Sequence, residues 1–219
     1  MYQFPDPLAA DGDVVCIGGN LSPGMLLSAY RQGIFPWFND GDPILWQSPD
    51  PRFVIFPQNL HVSDSMCKIL KKKRFVISFD CDFHAVISEC AAVRRRGQDG
   101  SWITGDMIGA YSELHRLGFA HSAEARLDGC LVGGCYGVRI GGVFFGESMF
   151  SKVSNASKAA FLTFAASLFD DGLAFIDCQV YSAHLESMGG TALSRKDFIS
   201  LLPPATHQRP PVGFISATR

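Results

Sequence analysis

Two polar residues in an apolar segment, Asp177 and Gln179 in "FIDCQV", are the first candidates for chemistry in this sequence. Residues two apart on a strand project from the same face, so the Asp177 carboxylate is placed to orient the Gln179 amide. The carbonyl end of that amide is then available to accept a hydrogen bond. From spacing alone, a polar pair that satisfies the edge of a sheet is the favoured interpretation.

A second candidate is Glu147, which lies at the end of a predicted strand in "FFGESMFSKVSNASK". Its neighbours in the sequence are largely apolar: Phe144, Phe145, Met149 and Phe150. A carboxylate beside so much apolar surface is costly unless a cation or a hydrogen-bond donor meets it. Two interpretations remain open, a structural cap or a pocket that accepts an apolar group carrying an amine.

Composition limits the class of protein. The chain has 219 residues, 47% hydrophobic and 18% charged, which supports a large core and excludes global disorder. This length fits one large domain, or one domain with a smaller appendage. The net charge of -2 gives no overall attraction to nucleic acid, so any such binding requires a local basic patch.

The seven cysteines are an odd number and are never spaced as CxxC. This pattern is typical of reduced thiols in a cytosolic protein and favours neither a zinc site nor a disulfide framework. The segment from Met1 to Asp13 carries acids and prolines where a signal peptide would carry positive charge. No run approaches the ~18 apolar residues of a membrane span. We therefore expect a cytoplasmic protein that binds no membrane and no metal.

Hydrophobic periodicity predicts three segments. Residues 1–58 are rich in proline, glycine and aromatics and are predicted to be a small N-terminal α/β domain. A short helix is predicted there, with Ser22 as its cap and its end near Gly33. Residues 59–202 are predicted to hold a second domain of regular helices and strands. Residues 203–219 are predicted to be a proline-rich, extended tail.

Within residues 59–202 the predicted order is helix, strand, helix, helix, three strands, helix, strand and helix. Ser63 and Thr104 are predicted helix caps. The three consecutive strands are joined by the turns Asp128-Gly129 and Gly141-Gly142, which predicts an antiparallel meander. The fold class is α+β, with a mostly antiparallel sheet flanked by helices.

Eight ordered blocks between Val15 and Asp197 carry a resemblance to a known family: "GIFPWF", "GDPILWQSPDPR", "SWIT", "AYSELHRLGFAHSAE", "LVGGCYGV", "FFGESMFS", "NASK" and "IDCQV". Together they resemble the leucyl/phenylalanyl-tRNA–protein transferases. The resemblance implies a small N-terminal domain followed by a GNAT-like acyltransferase domain, with no cofactor. It also implies transfer of Leu or Phe, with Met as a further candidate, from charged tRNA to proteins that begin with Arg or Lys. Such transfer marks a protein for the bacterial N-degron degradation pathway. A monomer is expected.

The same resemblance implies roles for the first candidates. Asp177 and Gln179 match the family's catalytic pair, with the Gln179 carbonyl accepting a hydrogen bond from the attacking amine. Glu147 is implied near the amino acid that the tRNA carries, or alternatively attracts the positive side chain of the acceptor. Cys178 is expected on the opposite strand face from Asp177 and Gln179, which argues against a covalent cysteine mechanism.

A pocket for the donor side chain is implied by the family pattern, with candidate substrate-binding residues Cys135, Phe144, Ser148, Met149 and Asn155. The family block reads GGMYGV where this chain has Cys135, and the smaller side chain leaves the preference between Leu and Phe open. Three aromatic residues are implied at the entrance, where they would stack the terminal adenosine of the tRNA: Trp102, Trp37 and Tyr30. Trp46 is expected in the core.

A basic cluster is the candidate for holding tRNA phosphates: Lys68, Lys71, Lys72, Lys73 and Arg74. The run Arg94 to Arg96 is expected to be a solvated loop. Two other functions remain open, an acetyl-CoA-dependent GNAT-type acyltransferase and a non-catalytic relative that binds tRNA or peptide. The stretch before "NASKAAFL" lacks a phosphate-binding glycine motif, which disfavours the first.

Overall fold

The computed structural model describes residues 2–93 and 101–207, and within them ten strands and seven α-helices. Strands β1 to β10 span Val14–Ile17, Phe35–Pro36, Leu45–Gln47, Arg52–Ile55, Val76–Phe79, Ala120–Leu127, Cys130–Ile140, Val143–Ser151, Phe175–Gln179 and Thr191–Leu193. Helices α1 to α7 span Pro23–Arg31, Asp64–Lys71, Phe83–Ala92, Gly105–Arg116, Ala156–Asp170, Ala183–Glu186 and Arg195–Thr206.

Seven strands form one sheet in the order β10-β4-β9-β8-β7-β6-β5. Every neighbouring pair is antiparallel except β8 and β9, which are parallel because the helix α5 crosses over between them. The predicted α+β class, with a mostly antiparallel sheet flanked by helices, is confirmed.

The predicted meander is β6-β7-β8, and its first turn has the backbone that its residues favour. Asp128 and Gly129 both have positive φ, 50° and 79°, as a two-residue hairpin turn of type I′ requires. Ser22 precedes α1 but its side chain makes no capping hydrogen bond, so that predicted cap is wrong. The other two predicted helix caps are present. The Ser63 hydroxyl accepts from the Met66 N–H, and the Thr104 hydroxyl accepts from the Met107 N–H.

Helices cover both faces of the large sheet, and the alternation of side chains along β8 shows how. Phe144 packs edge-on against Phe164 of α5, with ring centroids 5.3 Å apart. Phe145 points to the other face and packs on Tyr30 of α1, at 4.9 Å. Helices α3, α4 and α7 share the second face with α1. Two cores therefore lie against one sheet.

The N-terminal segment is joined to the large sheet by β4. Strands β1, β3 and β2 form a small sheet in that order, but β4 pairs with β9 and β10. Residues 1–58 therefore contribute a strand to the sheet of the predicted catalytic domain. All four β4 residues are buried, because the strand lies inside the sheet between β10 and β9.

The expectation of an extended chain from Pro203 is wrong for its first residues, because α7 continues to Thr206. Leu202 and Ala205 are buried in the core, and the Ala205 carbonyl accepts from the Gly142 N–H at 2.8 Å. This packing holds the last turn helical although Pro203 and Pro204 lack donors. The remainder of the predicted tail, 208–219, lies outside the described residues.

Gly137 on the inner strand β7 gives a test of the packing around the large sheet. A methyl group there would lie 2.2 Å from the Phe145 carbonyl oxygen and 2.6 Å from Cζ of Phe144. We expect Gly137→Ala to lower the free energy of unfolding by about 3 kcal/mol in urea titrations. The control is Gly109→Ala, where the added methyl group lies in open space on α4. Because Ala favours a helix more than Gly does, this change should raise the free energy of unfolding by about 0.5–1 kcal/mol. An unchanged unfolding midpoint for Gly137→Ala would contradict this packing.

Candidate active site

A cavity of about 340 Å³ opens where β8 and β9 stop pairing. The parallel register between these strands runs from Val143–Phe175 to Phe145–Asp177, and the cavity lies beyond it. Its lining is mostly apolar, with a few polar groups among the residues: Trp37, Trp102, Cys135, Tyr136, Phe144, Gly146, Glu147, Ser148, Met149, Phe161, Ile176, Cys178, Gln179, Val180, Ser182, His184 and Leu185.

Glu147 reaches the cavity wall because β8 bulges at this point. Tyr136 pairs with Ser148 and Gly137 pairs with Gly146, so Glu147 is the extra residue between two paired ones. A bulge re-aims a side chain relative to simple strand alternation. The carboxylate is buried, with 8% of the residue exposed.

Three donors meet the Glu147 carboxylate. The Tyr30 hydroxyl donates at 2.7 Å, the Tyr111 hydroxyl at 3.1 Å and Nε2 of Gln179 at 2.9 Å. The hydroxyl oxygens of Tyr30 and Tyr111 also lie within hydrogen-bond distance of each other. Because each hydroxyl carries one hydrogen, two hydroxyls that both donate to Glu147 have none left for a bond between them. Burial and the nearby Glu147 charge raise the pKa of both tyrosines well above the usual value, so both remain donors. Hydrogen-bond donors therefore compensate this buried carboxylate.

Burial raises the pKa of Glu147 to about 7, and the charge of Asp177 adds to the shift. The hydrogen bonds from Tyr30, Tyr111 and Gln179 oppose it by favouring the ionised form. Near neutral pH this carboxyl group therefore exchanges between its two protonation states.

A buried ion pair lies behind the cavity. Nε of Arg52 donates to Oδ1 of Asp177 at 2.8 Å, and the Arg52 Nη2 donates to Oδ2 at 2.6 Å. Both side chains are fully buried. The guanidinium also donates to the Gly33 carbonyl, and it lies over the rings of Phe35 and Phe198 at 4.7 and 4.5 Å. Its charge is thus met by one carboxylate, one carbonyl and two π-faces.

The ion pair fixes the backbone of Gln179. The Gln179 N–H donates to Oδ1 of Asp177 at 2.9 Å, and Gln179 has φ of 64°, a left-handed conformation that is costly for a residue other than glycine. Asp177 therefore acts on the main chain of Gln179, and Glu147 acts on its side chain. Since Nε2 faces Glu147, Oε1 is the acceptor end, and no residue in the described ranges donates to it.

The expected arrangement of side chains on β9 needs correction. Ile176 and Cys178 line the cavity, whereas Asp177 does not. Gln179 reaches the cavity because its left-handed backbone and the irregular β4–β9 register at Phe53 and Val54 break the strand alternation. Cys178 therefore shares the cavity with Gln179. Burial raises the pKa of its thiol, and Asp177 raises it further, so the nucleophilic thiolate is disfavoured.

The predicted donor-pocket residues divide clearly. Four of them lie on the cavity wall: Cys135, Phe144, Ser148 and Met149. Asn155 does not, which corrects its expected role. It precedes α5 with φ of 70° and is half-buried.

The predicted entrance aromatics also divide. Trp102 and Trp37 line the cavity, Trp102 nearly buried and Trp37 half-buried. Tyr30 is wrong as an entrance residue, because it is fully buried behind Glu147. Trp46 lies in the core as expected, with Nε1 donating to the Gly18 carbonyl at 2.7 Å.

The basic cluster lies away from the cavity wall, at the end of α2 and in the turn to β5. All of its members are exposed: Lys68, Lys71, Lys72, Lys73 and Arg74. The run Arg94 to Arg96 lies outside the described residues. Residues 2–93 and 101–207 contain no group of three or more potential metal ligands and no helix long and apolar enough to cross a membrane.

Two residues of the site were not predicted from the sequence. Arg52 follows the turn-like segment "SPDP" and directly precedes the apolar segment "FVIF". A positive charge beside this apolar segment is the feature of the sequence that could have indicated a buried ion pair. Tyr111 lies on the same helical stripe as Met107 and Leu114, which is typical of a core residue. Neither pattern indicates a partner.

Comparison with known proteins now decides the family. The family model described as leucyl/phenylalanyl-tRNA protein transferase matches residues 54–203, and the model of its N-terminal domain matches residues 19–50. The chain belongs to this family. All of β9 and the Glu147 bulge fall inside the larger match, as do the four cavity-lining residues of the predicted donor pocket.

Relatives from this transferase family match along most of their length. The leucyl/phenylalanyl-tRNA–protein transferase of Flavobacterium johnsoniae is 52% identical over 200 residues, 91% of this chain and 94% of the relative. That of Pseudomonas putida strain KT2440 is 54% identical over 189 residues, 86% and 83% of the two chains. That of Nitrosospira multiformis is 56% identical over 185 residues, 84% and 79%.

Two solved structures share a distant similarity. A GCN5-related N-acetyltransferase from Kribbella flavida matches with a TM-score of 0.40 and 11% identity, covering 78% of this chain and 61% of that one. L-PGS from Bacillus licheniformis matches with a TM-score of 0.42 and 10% identity, covering 74% and 52%. Similarities at this level carry no conclusion about the reaction.

The raised pKa of Glu147 predicts a pH-dependent term in stability. Because the pKa in the folded state is about 7 and the ordinary value is 4.5, the folded protein holds this proton over the interval between them. The Glu147 proton therefore contributes ~3 kcal/mol to the free energy of unfolding. This contribution is fully present below pH 4.5 and is lost as the pH rises through 7. Urea unfolding of wild type and Glu147→Gln from pH 4.5 to 8 measures it.

Subtracting the two curves cancels the other titrating groups. We expect the stability of the wild type relative to Glu147→Gln to fall across this interval. The variant Glu89→Gln, which removes a carboxylate bonded to Lys152 near the surface, provides the control. Parallel curves of stability against pH for wild type and Glu147→Gln would show that the Glu147 carboxyl has the same pKa in the folded and unfolded states, which would contradict the prediction.

Proposed function

We propose that this protein transfers Leu or Phe from aminoacyl-tRNA to the α-amine at the N-terminus of a protein. The observation that carries the proposal is an apolar cavity whose wall includes the hydrogen-bonded Gln179 amide and Glu147 carboxylate. The function named for its close relatives agrees with this chemistry.

The cavity suits the side chain of the donor amino acid. Its walls are formed largely by apolar or weakly polar groups, including Cys135, Phe144, Met149, Phe161 and Ile176. Leu, Phe or Met exchanges water for apolar contacts there. Charged or strongly polar side chains lose hydration without compensation and are rejected.

The reaction needs an amine to attack the carbonyl carbon of an ester. The amine nitrogen forms the amide bond while the bond to the ribose oxygen breaks, and the ribose leaves as a free hydroxyl with the proton that the amine loses. Because an α-amine has a pKa of ~7.7–8.0, a useful fraction is neutral at cellular pH. The ester is already activated, so positioning provides much of the rate.

Gln179 positions the amine in this mechanism. Its Oε1 accepts a hydrogen bond from the attacking amine, while Nε2 is held by Glu147. Asp177 and Arg52 hold the backbone of Gln179 and are positioning residues. Glu147 likewise acts through Gln179 by fixing the direction of its amide.

Aromatic groups bind the terminal adenosine of the tRNA in this proposal, and basic groups bind its phosphates. Trp37 and Trp102 on the cavity wall stack the terminal adenosine, a contact worth ~1–3 kcal/mol per base. The exposed basic cluster at the end of α2 holds backbone phosphates of the tRNA, without reading its sequence. Binding through this cluster weakens as salt rises.

The acceptor in this proposal is a protein that begins with Arg or Lys, and the product carries a destabilising N-terminus for the bacterial N-degron route. The protein works as a cytoplasmic monomer without a cofactor. Incubation with labelled Phe-tRNA and a peptide that begins with Arg tests the proposal. We expect labelled peptide. Acetylation of the peptide by acetyl-CoA, or binding of Phe-tRNA without transfer, would overturn it.

Removing the Gln179 amide tests the mechanism. We expect Gln179→Ala to lower kcat/KM for transfer by at least about 10²-fold, because the amine loses the group that directs it. Gln58→Ala, at an exposed position outside the cavity, is the matched control and should retain full activity. A near-normal rate for a folded Gln179→Ala protein would remove Gln179 from the mechanism.

Cys135 gives a prediction about donor choice. Cys135→Met places two more heavy atoms in the cavity and should lower kcat/KM for Phe-tRNA about tenfold more than for Leu-tRNA. The two donors are compared with the same peptide. Cys81→Met, at an exposed site, should leave the ratio unchanged. An unchanged ratio in Cys135→Met would mean that this wall does not contact the donor side chain.

A further inference from the structure

The charge of the acceptor needs a binding partner that the cavity does not supply. Among the described residues that line the cavity, Glu147 is the carboxylate, and it already accepts from Tyr30, Tyr111 and Gln179. A cation bound there would have to displace donors from a buried site. Because Glu147 is occupied in this way, the Arg or Lys side chain of the acceptor must be recognised elsewhere.

The chain that leaves Gln179 forms one edge of the cavity mouth. We call residues 180–186 the acceptor rim. Val180, Ser182 and Leu185 line the cavity from this rim. Tyr181 points outward, with 58% of the residue exposed, and packs edge-on against Phe53 at 5.4 Å between ring centroids. The rim is therefore continuous with the cavity but presents a separate outer surface.

Two side chains on this outer surface are held together. The Tyr181 hydroxyl donates to Oε2 of Glu186 at 3.0 Å, and Glu186 is exposed. Within the described chain no side chain donates to Oε1 of Glu186. An aromatic face beside an oriented carboxylate is a combination that suits a guanidinium or an ammonium group.

We propose that Tyr181 and Glu186 form the subsite for the side chain of the acceptor's N-terminal Arg or Lys. This inference rests on the proposed function. Two extended residues span at most ~7 Å, so the Cα atom of Tyr181 lies within about that distance of the Cα atom of Gln179. The acceptor residue places its amine at Gln179 and its long side chain over the Tyr181 ring, with its charge at Glu186.

Two other titratable groups face this subsite. Lys158 of α5 donates to the Ser187 hydroxyl at 3.0 Å, next to Glu186. His184 lies on the rim, and its pKa is lowered by burial and by the charge of Lys158, so its imidazole is neutral at pH 7. Lys158 opposes a bound cation and solvent screens the pair. The expected contribution of Glu186 is therefore a few-fold, as for an exposed ion pair.

Peptides that differ only in charge provide the test. The rate of transfer is measured with peptides that begin with Arg, Lys or citrulline, which keeps the shape of Arg without its charge. We expect Glu186→Gln to lower kcat/KM for the Arg and Lys peptides about threefold to fivefold through KM, with kcat unchanged. The kcat/KM for the citrulline peptide should be the same in Glu186→Gln as in the wild type. Glu186→Lys should lower kcat/KM for the Arg and Lys peptides more than tenfold.

The Tyr181 variants separate the ring from the hydroxyl. Tyr181→Phe keeps the aromatic face, so the rate with the Arg peptide should fall less than in Tyr181→Leu. Tyr181→Leu should affect the Arg peptide more than the Lys peptide, because a planar guanidinium stacks on a ring. Glu113→Gln, which removes an exposed carboxylate on α4, is the control and should change none of these rates.

The outcomes separate this inference from the activity itself. Suppose that the wild type transfers to Arg peptides and that the Glu186 variants have the same ratio of kcat/KM for the Arg and citrulline peptides as the wild type. The proposed subsite is then overturned, while the proposed activity stands. A wild type that does not discriminate Arg from citrulline also overturns the subsite. If the wild type transfers to no peptide at all, the proposed function fails and the subsite fails with it.

Discussion

The buried ion pair between Arg52 and Asp177 is the interaction on which the rest of the site depends. Two fully buried charges carry a large desolvation cost, which a buried pair offsets only with good geometry and further partners. Here the pair is bidentate, and Gly33 and the rings of Phe35 and Phe198 meet the remaining surface of the guanidinium. The pair also joins the N-terminal segment to the large sheet, because Arg52 lies on β4 and Asp177 on β9.

The polar site extends from this pair to the cavity through a short chain of hydrogen bonds. Asp177 holds the backbone of Gln179 in a left-handed conformation, and Glu147 holds its amide. The hydroxyls of Tyr30 and Tyr111 keep Glu147 in place. Each polar group is thus fixed before a substrate arrives, which is what a reaction that depends on positioning requires. The apolar walls then select the side chain that is brought to this point.

Much of the fold could be predicted because its signals are local. Caps such as Ser63 and Thr104 and the turn at Asp128-Gly129 define helix and hairpin ends directly in the sequence. The partners of the site are not local. Arg52 and Asp177 are 125 residues apart, and no spacing rule links them. Strand alternation also failed at Gln179, because a left-handed residue changes which side chains share a face. The bulge at Glu147 depends on the register of β7 and β8, which tertiary packing determines.

The central claim is that Asp177 serves catalysis only by positioning Gln179, and a double-mutant cycle in kcat/KM for transfer tests it most directly. Asp177→Asn is compared with its parent in the wild-type and Gln179→Ala backgrounds, with rates corrected for the folded fraction. The account predicts that Asp177→Asn lowers the rate at least about tenfold in the wild type, but by less than about twofold once the Gln179 amide is absent. An equal loss in both backgrounds would contradict it.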